Sequence, residues 1–429
     1  MVISKNFFTA LKSITQGGRL YFTWLVILAA LIINGALKYS TQFSQGLIVT
    51  SLRDPVSWGF YISNFTFLVG VAAAAVLLVI PAYLYHFKPI KEIVLFGEIL
   101  AISAICMCLM FVTADMGKPL VVWHLLPIIG KMNFPSSLLA WDVIVLNGYL
   151  ILNLTAVFYI LHRLAHGKQY KMSFLFPIVL ISIPWAISIH TVTAFLYNGL
   201  SSRPFWNASI LAPRFIASAL CSGPALMLII FQILRRVSTI QITDTAIFKI
   251  AELIAYAMAV NLFLFAAEVF KEFYSQSIHL APMEYMYFGL HGHHNLVFWM
   301  RLAFAFNVTA FLFFLIPKTR ENFLTLNIAC VMVIIGVYIE KGMGLIIPGF
   351  IPSTLGEIYE YSPSIVEKSV AIGIWACGAM IFTLFVKFAI PIYTGALLPP
   401  EDKEKIHAPE HPSRRTDDLY ETAHQDRRH

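Results

Sequence analysis

Apolar runs of about 20 residues, separated by short polar stretches, recur along the chain from Tyr21 to Ile392. They lack the strict apolar–polar alternation of half-buried strands, so each reads as a helix. At 1.5 Å per residue such a helix crosses the ~30 Å hydrocarbon layer of a bilayer. The pattern predicts spans at 20–39, 57–85, 93–114, 137–162, 173–197, 212–235, 246–270, 294–316, 323–346 and 367–390. Turn chemistry lies between them: Arg53-Asp54-Pro55, Lys88-Pro89, Lys118-Pro119, Ser201-Ser202-Arg203-Pro204, and Pro348 to Pro352. The first apolar run follows Lys5, Lys12 and Arg19 and has no small-residue cleavage site, so it reads as a span and not as a cleaved leader.

Composition narrows the class. The chain is 59% hydrophobic and only 12% charged, with a mean hydropathy of +0.75. A soluble domain carries about 25% charged residues, so this chain cannot build a water-facing surface and lipid is its solvent. Backbone groups in lipid must be paired internally, which leaves helices or a closed barrel, and the long runs select helices. The predicted class is an all-α polytopic membrane protein of about ten spans. The net charge of +7 is spread over short loops, so it signals topology and not nucleic-acid binding. Lys5, Lys12, Arg19, Lys88, Lys91, Arg163, Lys168, Lys171, Arg235, Arg236, Lys318 and Arg320 share one side. That bias predicts cytoplasmic N and C termini. The expected organisation is an N-terminal segment at 1–19, a membrane domain at 20–395 and a polar cytoplasmic tail at 396–429.

Ionisable groups inside a membrane are expensive and mark function by default. With helix directions assigned, they gather towards the outer side: Asp115, Asp142, His190, Tyr197, Asn198, Glu268, Lys271, Arg301, Glu340 and Lys341, with Trp58 and Asn64 opening the second span. The inner half offers Asn153, Glu252 and Lys387. This distribution predicts a polar pocket near the outer surface. Interfacial anchoring is the competing account, most of all for Glu268, Lys271 and Lys341.

The chain offers no ligand set for a redox metal. Cys106, Cys108, Cys221, Cys330 and Cys377 lie in apolar runs without iron–sulfur spacing, and read as small buried hydrophobes. Bis-histidine haem needs two histidines at one depth; His86 and His162 sit at the inner ends, and His190 has no partner at its own. No haem or iron–sulfur cluster is expected in this chain. His291-Gly292-His293-His294, in an outer loop, reads as an interface or a helix start before it reads as a metal site.

These residues carry a resemblance. Trp58-Gly59-Phe60-Tyr61-Ile62 with Gly70, Asp115-Met116-Gly117-Lys118-Pro119, and Ser136 with Ala140-Trp141-Asp142 resemble the second to fourth helices of the NrfD/PsrC family, the membrane subunits of polysulfide reductase and related complexes. His190-Thr191-Val192-Thr193-Ala194-Phe195, followed by Arg203-Pro204-Phe205-Trp206 and Ala212-Pro213, is the most specific match. The similarity spans roughly residues 20–395. Ten spans and the stretch from Gly342-Met343-Gly344 to Pro352 look most like the DsrP/Hmc-type subgroup of DsrMKJOP-like complexes.

The resemblance implies two four-helix bundles related by an internal repeat, peripheral helices, and a menaquinone site near the outer face. It implies a ferredoxin-like subunit with several 4Fe–4S clusters docked outside, together with other membrane and cytochrome subunits, in the cell inner (cytoplasmic) membrane. On that footing Asp115 is expected to accept a quinol proton, Asp142 to take or relay the second, and His190 to hydrogen-bond a quinone oxygen. Trp58, Asn64 and Tyr197 are expected to line the ring pocket. The sequence departs from some quinol-oxidising relatives, which carry histidine where Asp115 stands and aspartate where Leu196 stands, so their proton route is not transferred. A secondary transporter and a purely structural anchor are the competing readings. Against the transporter, most glycines and prolines lie at span ends, with Pro184 and Pro224 as the exceptions.

Overall fold

The computed structural model describes residues 5–401 apart from 127, 278 and 354, so most of the expected tail lies outside the described residues. Among the described residues, ten helices are long and apolar enough to cross a membrane. A short helix, α1 (Lys5–Ser13), precedes them. The spans are α2 (Arg19–Gln45), α3 (Phe60–Leu84), α4 (Val94–Asp115), α5 (Leu138–Ala165), α6 (Met172–Asn198), α7 (Leu211–Val237) and α8 (Asp244–Ser275). After the short α9 (Leu280–Tyr287) come α10 (Val297–Leu315), α11 (Phe323–Phe350) and α12 (Ile365–Tyr393).

Each predicted span is present, and the edges move where local chemistry sets them. Thr243 caps α8 by accepting from Ala246 N (3.3 Å), and Asn322 caps α11 by accepting from Leu324 N (2.9 Å). Ser364 and Glu367 form a reciprocal capping box at the start of α12. The segment ahead of the first span is not merely a leader into the membrane. As α1 it packs across the inner end, with Phe7 edge-on to Phe388 (4.9 Å) and Ser13 Oγ donating to Lys387 O (3.1 Å).

The spans form two four-helix rings. One closes through α3, α4, α5 and α6, the other through α7, α8, α10 and α11. The spans α2 and α12 pair with each other, and α12 lies against α4 and α5. The core spans α3 and α4 are the most buried and α2 the least. Because lipid is as apolar as leucine, close approach of small residues holds such helices together. At Gly35 and Gly373 the α2 and α12 backbones touch: a Cβ on Gly35 falls 2.7 Å from Gly373 Cα.

Small residues also make the seam between the rings. A Cβ on Gly223 of α7 falls 2.1 Å from Ala74 Cβ and 3.2 Å from Gly70 O of α3. Gly223→Leu is therefore expected to pry α7 from α3, at a cost of about 1–3 kcal/mol. A lowered thermal midpoint of the detergent-solubilised protein measures it; a wild-type midpoint contradicts a close-packed seam.

Opposite this contact α3 is irregular. Its α-helix tightens at Ala74 and Ala75, where Leu77 N and Leu78 N bond Ala74 O and Ala75 O at 3.0 Å each. It then widens into a π-helical turn, Ile80–Leu84, around Pro81. The chain also breaks at Gly342, where α11 turns into its last segment. Irregular backbone thus occurs at positions that the proline and glycine pattern did not single out, whereas Pro184 and Pro224 sit inside continuous helices.

Candidate functional site

The site is built from the half of the first ring at which α6 ends and α3 begins. On α6, His190, Thr193 and Tyr197 fall on one face at i, i+3 and i+7. Thr193 Oγ1 donates to Asp142 Oδ1 of α5 at 2.8 Å, and Asp142 is only 1% exposed. Tyr197 Oη and Thr66 Oγ1 of α3 are 2.5 Å apart. Thr66 already donates to Ile62 O at 2.8 Å, which makes Tyr197 the donor of the pair. Above them Trp58 stands edge-on to Tyr197 (5.6 Å) and tilted against Trp206 (5.5 Å). Trp206 is fully buried and donates to Leu345 O at 2.8 Å.

His190, Thr66, Ser218, Ser222 and Lys341 line a cavity of about 10 Å³ between the two rings, room for a single water. His190 is 2% exposed. The ring's backbone partner is Ala186, one turn back on α6, so no neighbouring helix engages the imidazole and it lines the cavity.

Asp115 lies to one side of this cavity. Its Oδ1 is buried and unpartnered, and it sits within electrostatic reach of Glu367, Tyr61 and Tyr197. Around it Tyr61 donates to Gln42 Oε1 (2.6 Å), and Gln42 donates to Ala114 O (2.7 Å). Asn64 is turned away from the cavity. Two residues before Thr66, it points to the opposite side of α3, where its Oδ1 accepts from Tyr338 Oη (2.9 Å) and Trp375 Nε1 (2.8 Å). The structure thus places His190 on the same α6 face as Thr193 and Tyr197, bonds Thr193 to Asp142, sets Trp58 against Tyr197 and Asp115 nearby, and uses Asn64 to tie α3 to α11 and α12.

A hydrogen-bonded clamp at the start of α12 lies within electrostatic reach of Asp115. Glu367, fully buried, accepts from Ser51 N (2.9 Å), Ser364 N (2.8 Å) and Tyr361 Oη. Burial and the Glu367 carboxylate hold the Tyr361 phenol above its ordinary range, so it stays a donor. Tyr361 in turn accepts from Phe60 N at 2.9 Å, which fixes the start of α3. The Ser-x-x-Glu spacing announces the cap, but not that its carboxylate is buried beside Asp115.

The second ring holds a charge cluster of its own. Arg214 of α7 pairs with Glu268 of α8 and, at 2.6 Å, with Glu340 Oε1 of α11. Asn307 of α10 donates to Glu340 Oε2 at 3.1 Å, and Lys341 Nζ lies 3.4 Å from Glu340 Oε1. All five are buried, so Glu268, Glu340 and Lys341 are not interfacial anchors. Arg214 was legible only as a loop-end charge, and the role of Asn307 only through packing. Glu98, in the inner half of α4, is a further buried carboxyl that the outward clustering hid; its Oε2 has no partner.

In the outer loop His293 Nδ1 faces Glu360 Oε2 at 3.4 Å, joining two loops. Among the described residues no group of three or more His, Cys, Asp or Glu side chains is placed to hold a metal ion.

The arrangement of buried carboxylates and an imidazole on two helical rings can be set beside known proteins. A family model described as polysulphide reductase, NrfD, matches residues 48–352, the stretch holding both rings. A selenate reductase subunit of Mesobacillus selenatarsenatis is 22% identical over 419 residues, covering 87% of this chain and 94% of the relative. A putative dimethyl sulfoxide reductase membrane subunit of Halobacterium salinarum is 23% identical over 416 residues, covering 87% and 92%. An Hdr-like menaquinol oxidoreductase integral membrane subunit of Archaeoglobus fulgidus is 22% identical over 400 residues, covering 90% and 96%. With two four-helix rings, ten spans and a family match over most of its length, this chain belongs to the NrfD, polysulphide reductase, family of multi-pass membrane proteins.

Proposed function

We propose that the chain is the quinone-interacting membrane subunit of a respiratory oxidoreductase of the DsrMKJOP-like kind, in the cytoplasmic membrane with both termini inside. It exchanges electrons between menaquinol and the 4Fe–4S clusters of a ferredoxin-like subunit at its outer end. The supporting observation is a buried His190 imidazole lining a water-sized cavity, on the same face of α6 as Thr193, which bonds Asp142, and as Tyr197, which Trp58 covers. A proton-handling set buried at hydrocarbon depth fits a lipid-soluble carrier of hydrogen. The relative described as a menaquinol oxidoreductase subunit points the same way.

In this reading the quinol ring lies against Tyr197 and displaces half-buried Trp58 from its present contact, because the existing cavity admits water and no ring. His190 accepts one hydroxyl proton, and the carboxylate of Asp142, held by Thr193 one turn along the same face of α6, stabilises the imidazolium through space. Asp115, in electrostatic reach of Tyr197, takes the second proton. The two electrons leave to the partner's clusters.

Titration of the purified complex with a fluorescent hydroxyquinoline N-oxide, a quinone analogue, tests this. Saturable micromolar quenching, competed by menaquinone and weakened in Tyr197→Ala, is expected. A wild-type complex that shows no saturable binding overturns the reading.

A further inference from the structure

The chemistry placed at His190 leaves one matter open, which is where its protons go. The cavity beside His190 also touches Lys341, which belongs to the second ring. Lys341 Nζ is 3.4 Å from Glu340 Oε1. Glu340 lines a second cavity of about 10 Å³, bounded also by Asn261, Asn307 and Tyr287. Two acceptors there, Asn261 Oδ1 and Asn307 Oδ1, are buried with no partner. The cavity has room for a single water beside Glu340, so polar groups and water space run from Lys341 through Glu340 to Tyr287. The cavity's outer wall is half-buried Tyr287 of α9, whose carbonyl accepts from exposed Arg301 at 2.9 Å.

Resting on the quinone reading above, we infer that the Lys341–Glu340 pair is a proton bridge between the two rings, carrying protons from the His190 cavity to an outlet beside Tyr287. The transfer balances. Water in the first cavity takes the proton from the His190 imidazolium. The Lys341 ammonium gives a proton to the Glu340 carboxylate and regains one from that water. Glu340 then releases its proton to water in the second cavity, and returns to its anionic state. Arg214, permanently charged and bonded to Glu340 Oε1, favours that return.

A purely structural cluster does not account for this layout. Well-packed apolar residues serve stability as well as a buried ion pair does, and structure alone does not require unpartnered acceptors facing a cavity. Nor does it require that the lysine of the cluster line the cavity of the histidine.

Two variants, each made in the assembled complex, test the bridge. Glu340→Gln keeps the shape and blocks proton carriage. Asn261→Leu fills the second cavity without touching an ion pair. Quinone-analogue affinity is expected to stay within about twofold, while quinol turnover falls about tenfold or more and its solvent deuterium isotope effect rises. Glu340→Asp is expected to recover part of the rate. If Glu340→Gln fails to assemble, Asn261→Leu decides. Variants that bind the analogue and turn over with the wild-type rate and isotope effect overturn the bridge alone, whereas a wild-type complex that binds no analogue overturns the quinone reading and the bridge with it.

Discussion

His190→Leu is expected to lower quinol-dependent reduction of the partner's clusters by about a hundredfold or more, while leaving the protein as stable as before. Both halves follow from one observation. The imidazole is buried and lines the cavity, and its backbone partner is Ala186, one turn back on its own helix, so it ties no two helices together. Removing it breaks no bond between helices, and leucine fills the buried site with a side chain of similar volume. Asp142→Asn is the companion. The amide oxygen still accepts from Thr193, so the α5–α6 contact persists, but the charge that stabilises an imidazolium is gone. Steady-state quinol oxidation in purified complexes, normalised to assembled protein, is the measurement. Wild-type turnover in both variants removes the assignment.

Arg214→Leu is expected to act in the opposite way, through the fold. It strips Glu268 and Glu340 of their shared cation and leaves Lys341 as the remaining cation beside Glu340. Breaking a buried pair by removing one partner costs about 3–5 kcal/mol, a large share of a protein's net stability of about 5–15 kcal/mol. Little assembled protein and a markedly lower thermal midpoint are expected. Adding Glu268→Gln is expected to restore part of the loss, since it removes the carboxylate with no second cation. A single Arg214→Leu variant with a wild-type midpoint shows that the four charges do not compensate one another as their geometry indicates.

The spans were legible because hydropathy over a bilayer-length window depends on composition and hardly on neighbours; that is why 246–270 and Asp244–Ser275 differ only at their caps. The site was legible in part. Asp142 and His190 stand out as polar groups in hydrocarbon, but the hydroxyls packed around them do not. Thr66 and Thr193 resemble many helical threonines, which bond back to the preceding turn, and only packing shows that Thr193 reaches Asp142 instead. Asn64 shows the converse. Its type and depth were right for a ligand, and the rotation of α3 by two residues points it elsewhere. Arg214 could not be assigned, because its partners lie 54 and 126 positions away in sequence and chemistry alone does not pair them.

The Gly35–Gly373 contact joins helices more than three hundred residues apart in sequence. During synthesis α2 enters the bilayer with its principal neighbour still unmade, and it waits there until α12 leaves the ribosome. Its sparse burial and strong hydropathy suit such solitude. Insertion of the last helix is thus the event that fastens the first, and a chain cut short before α12 leaves α2 adrift in lipid as a visible target for membrane quality control.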